Sequence, residues 1–536
     1  MPAGTDAQLH GALRILQDLV EESLTDEQFF SVARDIIKAC HDVALNENRK
    51  QTHRSLAVLV LRSCFDLMDI VKDDHKTEVR AFADEVLRGW LPFFQQVIAT
   101  DLPERDASPT SMSWYGPIAL KIQVVRTLIK IKTVFRSLLL PQSFAFFEAT
   151  WGALTKLEDA YRELFIDSDS QGRLEDIEGL PYTLDYLVLD LLDLLNQLLR
   201  APPVQKHLEL QITSHGAAHQ TPWVLDLMKL LVCYSRISHE EEGLWDIDVS
   251  LYLAEEASIS SNYTARTACG DLMIKVAEWL NMQALEGLFA YTQTLFGAGS
   301  TDWRRQEAAL YLLNTVLVDF QELDKGIPTE IATAYMELVN YAVSRTDEPL
   351  LRSRGFLAAG AMAPSYKPAG GLLAATIEHM TSDDSEVVKV ACIKALEGFI
   401  RAGVAGEYQT RIVQAIQSFL NDKDLNELED ADDLLVTLLE TLHVTINMDV
   451  RIVLQSESSP LDLLFLVAKH GATNYQIASV ISDAFEEICQ TLSEPAPYSA
   501  LCAKFMPSLT AAFDVASLIG DDPLITVRTA PVFSNS

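Results

Sequence analysis

Residues 302–320 read DWRRQEAALYLLNTVLVDF. Asp302 can open a helix by accepting hydrogen bonds from the amides that follow it. Behind it, apolar residues return at three- and four-residue spacing, the pattern of an amphipathic helix. Seven residues after the cap stands Ala309, and eleven after it Leu313. The same grammar recurs. Ser261 opens SNYTARTACGDLM, Asp347 opens DEPLLRSRGFLAA and Asp384 opens DSEVVKVACIKALEGF. Their seventh positions are Ala268, Arg354 and Ala391, so Arg354 breaks the rule; their eleventh positions are Leu272, Ala358 and Ala395. Small residues at these points let a neighbouring helix come close.

Weaker copies start near Asp433 and Asn474. The starts at 261, 302, 347, 384, 433 and 474 lie 41, 45, 37, 49 and 41 residues apart, which brackets the HEAT/armadillo period of roughly 40–47. Each period holds two helices, such as Asp302–Phe320 and Pro328–Val343. Such a pair cannot bury its apolar face alone, so neighbours stack into one core. The expected fold is therefore all-α, an α-α superhelix (solenoid) of HEAT repeats, ARM-like, with about eleven helix pairs. The expected layout is a continuous solenoid over 1–536: less regular repeats over 1–236, an acidic Trp-containing segment over 237–260 and regular repeats over 261–518. In the first part, Asn48–Val71 pairs with Glu78–Ile98, and Gly116–Leu139 with Phe144–Phe165. Three apolar stripes are expected to face the core: Ala12, Ile15, Leu16, Leu19 and Val20; Leu187, Leu191, Leu194, Leu195 and Leu198; Leu434, Leu435, Leu438, Leu439 and Leu442. No long Ser/Gly/Pro linker favours separate helical domains.

The chain has 536 residues, 49% of them apolar, with 42 Lys plus Arg against 76 Asp plus Glu, a net charge of −34. That charge argues against direct nucleic-acid binding, which needs clustered cations, and favours basic partners. Three segments concentrate the acids. Ile237–Glu256 (ISHEEEGLWDIDVSLYLAEE) holds seven acids and no Lys or Arg, Leu157–Asp193 holds eleven against Arg162 and Arg173, and Asn421–Asp433 holds seven against Lys423. Lys121–Arg136 has the opposite bias and reads as a structural face paired with neighbouring acids.

Seven cysteines without a CxxC pair read as reduced thiols of cytosol or nucleus, with Cys269 and Cys392 as small core residues. MPAGTDAQLHG lacks the pattern of a signal peptide. The most apolar stretch, Leu184–Leu199, is cut by Asp185, Asp190 and Asp193, so no membrane insertion is expected, and the sequon at Asn262 is expected to be unused. There is no Walker A motif, GxSxG elbow or HExxH. His215 and His219 lack the further ligands of a zinc site. No enzyme activity, cofactor or metal is expected.

With the repeats and the acidic segment in hand, the sequence resembles the importin-β (karyopherin-β) family of nuclear transport receptors, most of all its importin-9-like branch. The passage 237–273 carries most of this, with Glu241, Glu242, Trp245, Asp248, Glu255 and Glu256, then Tyr263, Thr264 and Arg266 stepping into the next helix. Residues 167–180 (DSDSQGRLEDIEGL) are similar to the family's acidic connection; 302–316, 350–363, 387–399 and 432–492 follow in matching order. Receptors of the family are longer, so the chain is expected to be a central portion, lacking the N-terminal repeats that carry most Ran contact.

The resemblance implies a nuclear import receptor that wraps basic protein cargo (histones, ribosomal proteins or the TATA-binding protein), touches nucleoporins weakly, shuttles between cytoplasm and nucleus through the nuclear pore and releases cargo to Ran-GTP. The expected cargo-facing acids are Glu240, Glu241, Glu242, Asp246, Asp248, Glu255 and Glu256, then Asp167, Asp169, Glu175 and Asp176. The alternative is a cytoplasmic HEAT-repeat scaffold or regulatory subunit of an enzyme complex, indifferent to Ran.

Overall fold

Of the polar residues read as opening the repeats, Asp302 and Asn474 act as caps; the helices after Asp347, Asp384 and near Asp433 begin at Glu348, Ser385 and Ala431 without a side-chain cap, and Ser261 lies outside the described residues. In the computed structural model, Asp302 accepts the Arg305 amide at 3.1 Å at the start of helix Trp303–Glu322. Asn474 accepts the amides of Gln476 and Ile477 ahead of helix Tyr475–Thr491. Thr264 and Thr267 form a reciprocal box at the start of helix Ala265–Leu280. Each satisfies amides that a helix end leaves without a partner. The structure describes residues 5–104, 113–168, 172–177, 179–256, 263–297, 301–423, 428, 431–455, 459–471 and 474–519. Among them every regular element is helical; the single β-bridge joins Glu175 to Pro181. No helix there is long and apolar enough to cross a membrane.

The chain divides into two compact units, Met1–Glu240 with Tyr263–Tyr291, and Glu241–Asn262 with Thr292–Ser536. In the first, helices Gln51–Val71, Tyr115–Val134, Leu184–Leu199 and Ala265–Leu280 pack in succession as one row; Lys76–Ala99, Ser143–Tyr161 and Pro222–Tyr234 form a second. In the second unit, Trp303–Glu322, Pro349–Met362, Glu386–Arg401, Asp432–Met448 and Tyr475–Thr491 form one row, each touching the next. Helices Thr329–Ser344, Leu373–Ser382 and Gln409–Asn421 alternate with them in sequence. Two rows of consecutive helices, each contacting its neighbours, are the HEAT solenoid architecture.

Small residues set the tightest spacing. A Cβ added at Gly398 would lie 2.1 Å from the Gly360 carbonyl oxygen, and one added at Gly360 would lie 2.5 Å from the Ala395 oxygen. Helices Pro349–Met362 and Glu386–Arg401 therefore touch backbone to backbone. Ala309, Ala391 and Leu313 are fully buried, as are the leucine stripes starting at Leu187 and Leu434.

Three details differ from the sequence reading. In the first helix, Leu9, Leu13 and Val20 are buried while Ile15 is exposed, because the face spaced by four, three and four residues from Leu9 excludes Ile15. Gly116–Leu139 is not one helix: Tyr115–Val134 ends at Phe135, whose backbone (φ −125°, ψ 50°) leaves the helical region. Within Lys121–Arg136, Arg126 meets Asp190 at 2.7 Å and Lys130 meets Asp66 and Asp69 at 2.7 and 3.1 Å, as a paired face should. Lys121 does something else. It is buried, and its Nζ donates to the carbonyls of Val97, Ile98 and Thr100 at 2.6, 2.9 and 2.6 Å. It thus caps the C-terminal end of helix Lys76–Ala99, where unpaired carbonyls favour a cation. Burial pushes its ammonium down to about 8.

Candidate partner-binding acidic segments

The 241–256 segment is held by apolar residues spaced among its acids. Trp245, Tyr252 and Leu253 are buried, and the Trp245 and Tyr252 rings meet edge to face at 5.3 Å. Two short helices carry them, His239–Ile247 and Val249–Glu256. Asp248 stands at the junction, and its Oδ1 accepts the Ser250 amide at 2.8 Å. The second helix packs on Glu386–Arg401 and Asp432–Met448.

Both ends of the segment are fixed by arginines. Near its start, Glu242 pairs with Arg304. At its end, Glu256 binds Arg354 through both carboxylate oxygens, one contact measuring 2.9 Å, while Arg354 Nε donates to Glu307 Oε1 at 2.8 Å. The side chains of Arg354, Glu307 and Glu256 are only 2%, 1% and 10% exposed. Burial alone would lower the Arg354 pKa, but Glu256 and Glu307 outweigh it and hold the guanidinium well above its usual value. The Arg354 guanidinium also lies 5.2 Å from the Tyr311 ring centroid, and Lys394 Nζ donates to the Glu256 carbonyl at 2.8 Å. The residue that broke the alanine rule thus fastens the acidic segment to the repeats.

This sorts the acids read from sequence. Glu256 is committed to Arg354 inside the protein, so its carboxylate is not a surface group. Glu242 is half-buried on Arg304. Glu241 and Glu255 are half-exposed; Glu240, Asp246 and Asp248 are exposed. Sequence reasoning placed Asp433 in the third acidic run but did not link it to the first. Burial raises the Asp433 pKa, and Asp432 and Asp248 raise it further. Part of the third acidic run therefore meets the first, which only the packing of the Val249–Glu256 helix on Asp432–Met448 reveals.

The connection between helices Ser143–Tyr161 and Leu184–Leu199 carries the other acids. Asp167 is exposed and lies 3.4 Å from Arg162 Nε; Asp169 lies outside the described residues. Glu175 and Asp176 are exposed on a braced turn. The Asp176 amide donates to the Leu180 carbonyl at 2.9 Å, its Oδ1 accepts the Leu180 amide at 2.9 Å, and Glu175 accepts from the Tyr186 hydroxyl at 3.0 Å. Gly179, at φ +74°, supplies the left-handed residue this turn needs. Arg173 Nε donates to Asp185 Oδ2 at 2.7 Å. No group of three His, Cys, Asp or Glu among the described residues is placed to hold a metal ion.

Residues 218–472 match the family described as importin-9 central HEAT repeats. That span takes in the Trp245 segment and the arginines that fasten it. Over 510 residues the chain is 24% identical to importin subunit beta-5 of Schizosaccharomyces pombe, covering 94% of this chain and 49% of that protein. Over nearly half of its length the chain is thus similar to the importin-9 HEAT repeats, and over most of it to an importin-β family receptor. It spans about half the length of that curated relative. Among solved structures, the exportin Cse1 in its cargo-free, cytoplasmic state shares this helical solenoid fold at a TM-score of 0.57 and 13% identity, covering 95% of this chain and 54% of that one.

Proposed function

We propose that this karyopherin chain acts in a nuclear import receptor that binds basic protein cargo through its acidic segments. The observation that carries the reading is the fastened 241–256 segment: exposed Asp246 and Asp248, with Asp433 near Asp248, on a support immobilised by Trp245 and the Arg354 triad. Fixed carboxylates attract a cationic surface without paying to order themselves on binding. Histones, ribosomal proteins and the TATA-binding protein are the cargo classes proposed. Passage through the nuclear pore on nucleoporins, shuttling between cytoplasm and nucleus, and release by Ran-GTP complete the proposed cycle.

The test is retention of core histones on the immobilised chain. Binding at low salt should weaken as salt rises, since exposed charges are screened over about 8 Å at physiological ionic strength. Replacing Asp246 and Asp248 by Lys should weaken it further. Absence of retention at low salt refutes the proposal. With the full-length receptor, Ran-GTP should release the bound cargo; indifference would favour a scaffold.

A further inference from the structure

Two cations of the 121–136 run are still without a role. Arg126 and Lys130 meet carboxylates and Lys121 caps a helix. The side chains of Lys132 and Arg136 make no hydrogen bond or ion pair among the described residues. Lys132 is only 7% exposed, and a buried ammonium ordinarily has a partner. Burial lowers its pKa, and the one charge that adds to the shift is a further cation, Arg136.

Arg136 lines a cavity of about 420 Å³ together with Lys72, Lys76 and Arg80, all in the first unit. Asp73 is the one acid among the lining residues. Lys72 meets Asp69 at 2.5 Å, whereas Lys76 and Arg80 make no ion pair among the described residues. Three helix ends bring these cations together. Helix Gln51–Val71 stops just before Lys72, helix Lys76–Ala99 starts at Lys76, and helix Tyr115–Val134 gives way at Phe135 just before Arg136. The start of Lys76–Ala99 has no side-chain cap, so its first amides lack a side-chain acceptor. That end of a helix favours an anion, yet Lys76 stands in its first turn and Arg80 just beyond. The acid of that turn, Glu78, lies 3.3 Å from His75.

Several cations around one cavity fit an anion that carries several charges in a small volume. Phosphate groups meet this description, since Arg binds them in bidentate fashion and Lys as a point charge. Charges act over about 8 Å at physiological salt, so a compact anion feels mainly the cavity. A long polyanion would also meet exposed Asp73, Asp74 and Glu78 and the surface of a chain with a net charge of −34.

We infer that this cavity binds a compact, multiply phosphorylated small molecule through Lys76, Arg80 and Arg136. The bound anion supplies the negative charge that Lys132 and the start of helix Lys76–Ala99 lack.

The probes are inositol hexakisphosphate and tripolyphosphate, titrated calorimetrically into the whole chain at low salt beside inorganic phosphate and a single-stranded oligonucleotide. Both polyphosphates should bind, with inorganic phosphate about tenfold or more weaker; the tighter of the two marks the natural ligand as a ring or a linear polyphosphate. Arg80→Gln/Arg136→Gln should weaken both by about tenfold or more and abolish the rise in Tm that they give the parent. Lys38→Gln/Lys206→Gln makes the same change of charge at exposed residues outside the cavity and should leave binding unchanged. Arg80 and Arg136 are exposed, and an unaltered circular-dichroism melt without ligand confirms the fold. Absence of binding by both polyphosphates overturns the inference. Equal losses in the two variants overturn it in favour of attraction without a site, and tighter binding of the oligonucleotide overturns it in favour of a nucleic-acid surface. Inorganic phosphate binding as tightly as the polyphosphates also overturns it.

Discussion

Arg354→Met tests the attachment of the acidic segment most directly. The substitution keeps an unbranched stem and removes the guanidinium. Two carboxylates then face each other's site without a cation, Glu307 at 1% and Glu256 at 10% side-chain exposure. Breaking a buried pair by removing one partner costs about 3–5 kcal/mol, because the remaining charge stays desolvated. For a unit of this size each kcal/mol shifts Tm by about 2–4 °C, which gives a loss of about 6–20 °C at neutral pH. The deficit should shrink as pH falls towards 4. Without Arg354, burial drives Glu307 to take up a proton in the folded state before it does so in the unfolded chain, and a neutral carboxyl carries no penalty. The triple variant Arg354→Met/Glu307→Met/Glu256→Gln should recover most of the loss, since apolar replacement of a whole buried cluster is often neutral. Thermal melts followed by circular dichroism give the magnitude, and hydrogen exchange over 249–256 gives the location. If Arg354→Met melts within about 1 kcal/mol of the parent and exchange over 249–256 is unchanged, the triad does not hold the segment and the reasoning fails.

Other perturbations check separate parts of the structure. Gly398→Ala must push its helix away from Gly360, because a Cβ 2.1 Å from a carbonyl oxygen falls 1.3 Å short of the 3.4 Å of ordinary contact. A loss of about 1–3 kcal/mol in thermal melts is expected, whereas Gly152→Ala, in helix Ser143–Tyr161 with nothing within 4 Å of its Cβ, should gain up to about 1 kcal/mol. Burial pushes the Asp190 carboxyl up to about 6 despite Arg126 at 2.7 Å. The folded state then holds that proton more tightly, so this group's contribution to stability grows as pH falls from 6 towards 4, and in denaturant melts the stability of the parent relative to Asp190→Asn should rise over that interval. Trp245→Ala should remove about 3–5 kcal/mol of local packing, exposing 241–256 to limited proteolysis while helices Gln51–Val71 and Tyr115–Val134 keep their exchange protection.

The repeat architecture was legible because the repeat helices carry their own buried faces and some, such as that after Asp302, their own cap. Asp302, Ala309 and Leu313 state a cap, a close contact and a core position within a dozen residues, and Leu434–Leu442 declares a face without reference to any other helix. Contacts between distant segments were not legible. Glu255 and Glu256 are identical in sequence, yet only Glu256 meets Arg354, 98 residues away. Arg354 looked like an exception to a small-residue rule and proved to be a buried cation. Lys121 looked like one charge of a basic face, and nothing in its neighbourhood says that it ends another helix. Asp433 stood out as acidic, but its closeness to Asp248 depends on how helices stack. Local physical rules fix the helices; charges that pair across the stack answer to three-dimensional placement alone.

The long separation between Glu256 and its partners orders events during synthesis. Most helices in the second unit dock on a neighbour only a few tens of residues away, which a growing chain can do almost as soon as each emerges. The acidic segment cannot. It leaves the ribosome 98 residues ahead of Arg354 and 138 ahead of Lys394. At roughly 5–20 residues per second, the wait for Arg354 alone is about 5–20 s. For that interval the seven acids of 237–256 lie ahead of the repeats that will hold them, with their final anchor still unmade. The segment proposed to receive cationic protein is thus open to cationic surfaces, the ribosome's own among them, before the chain is finished.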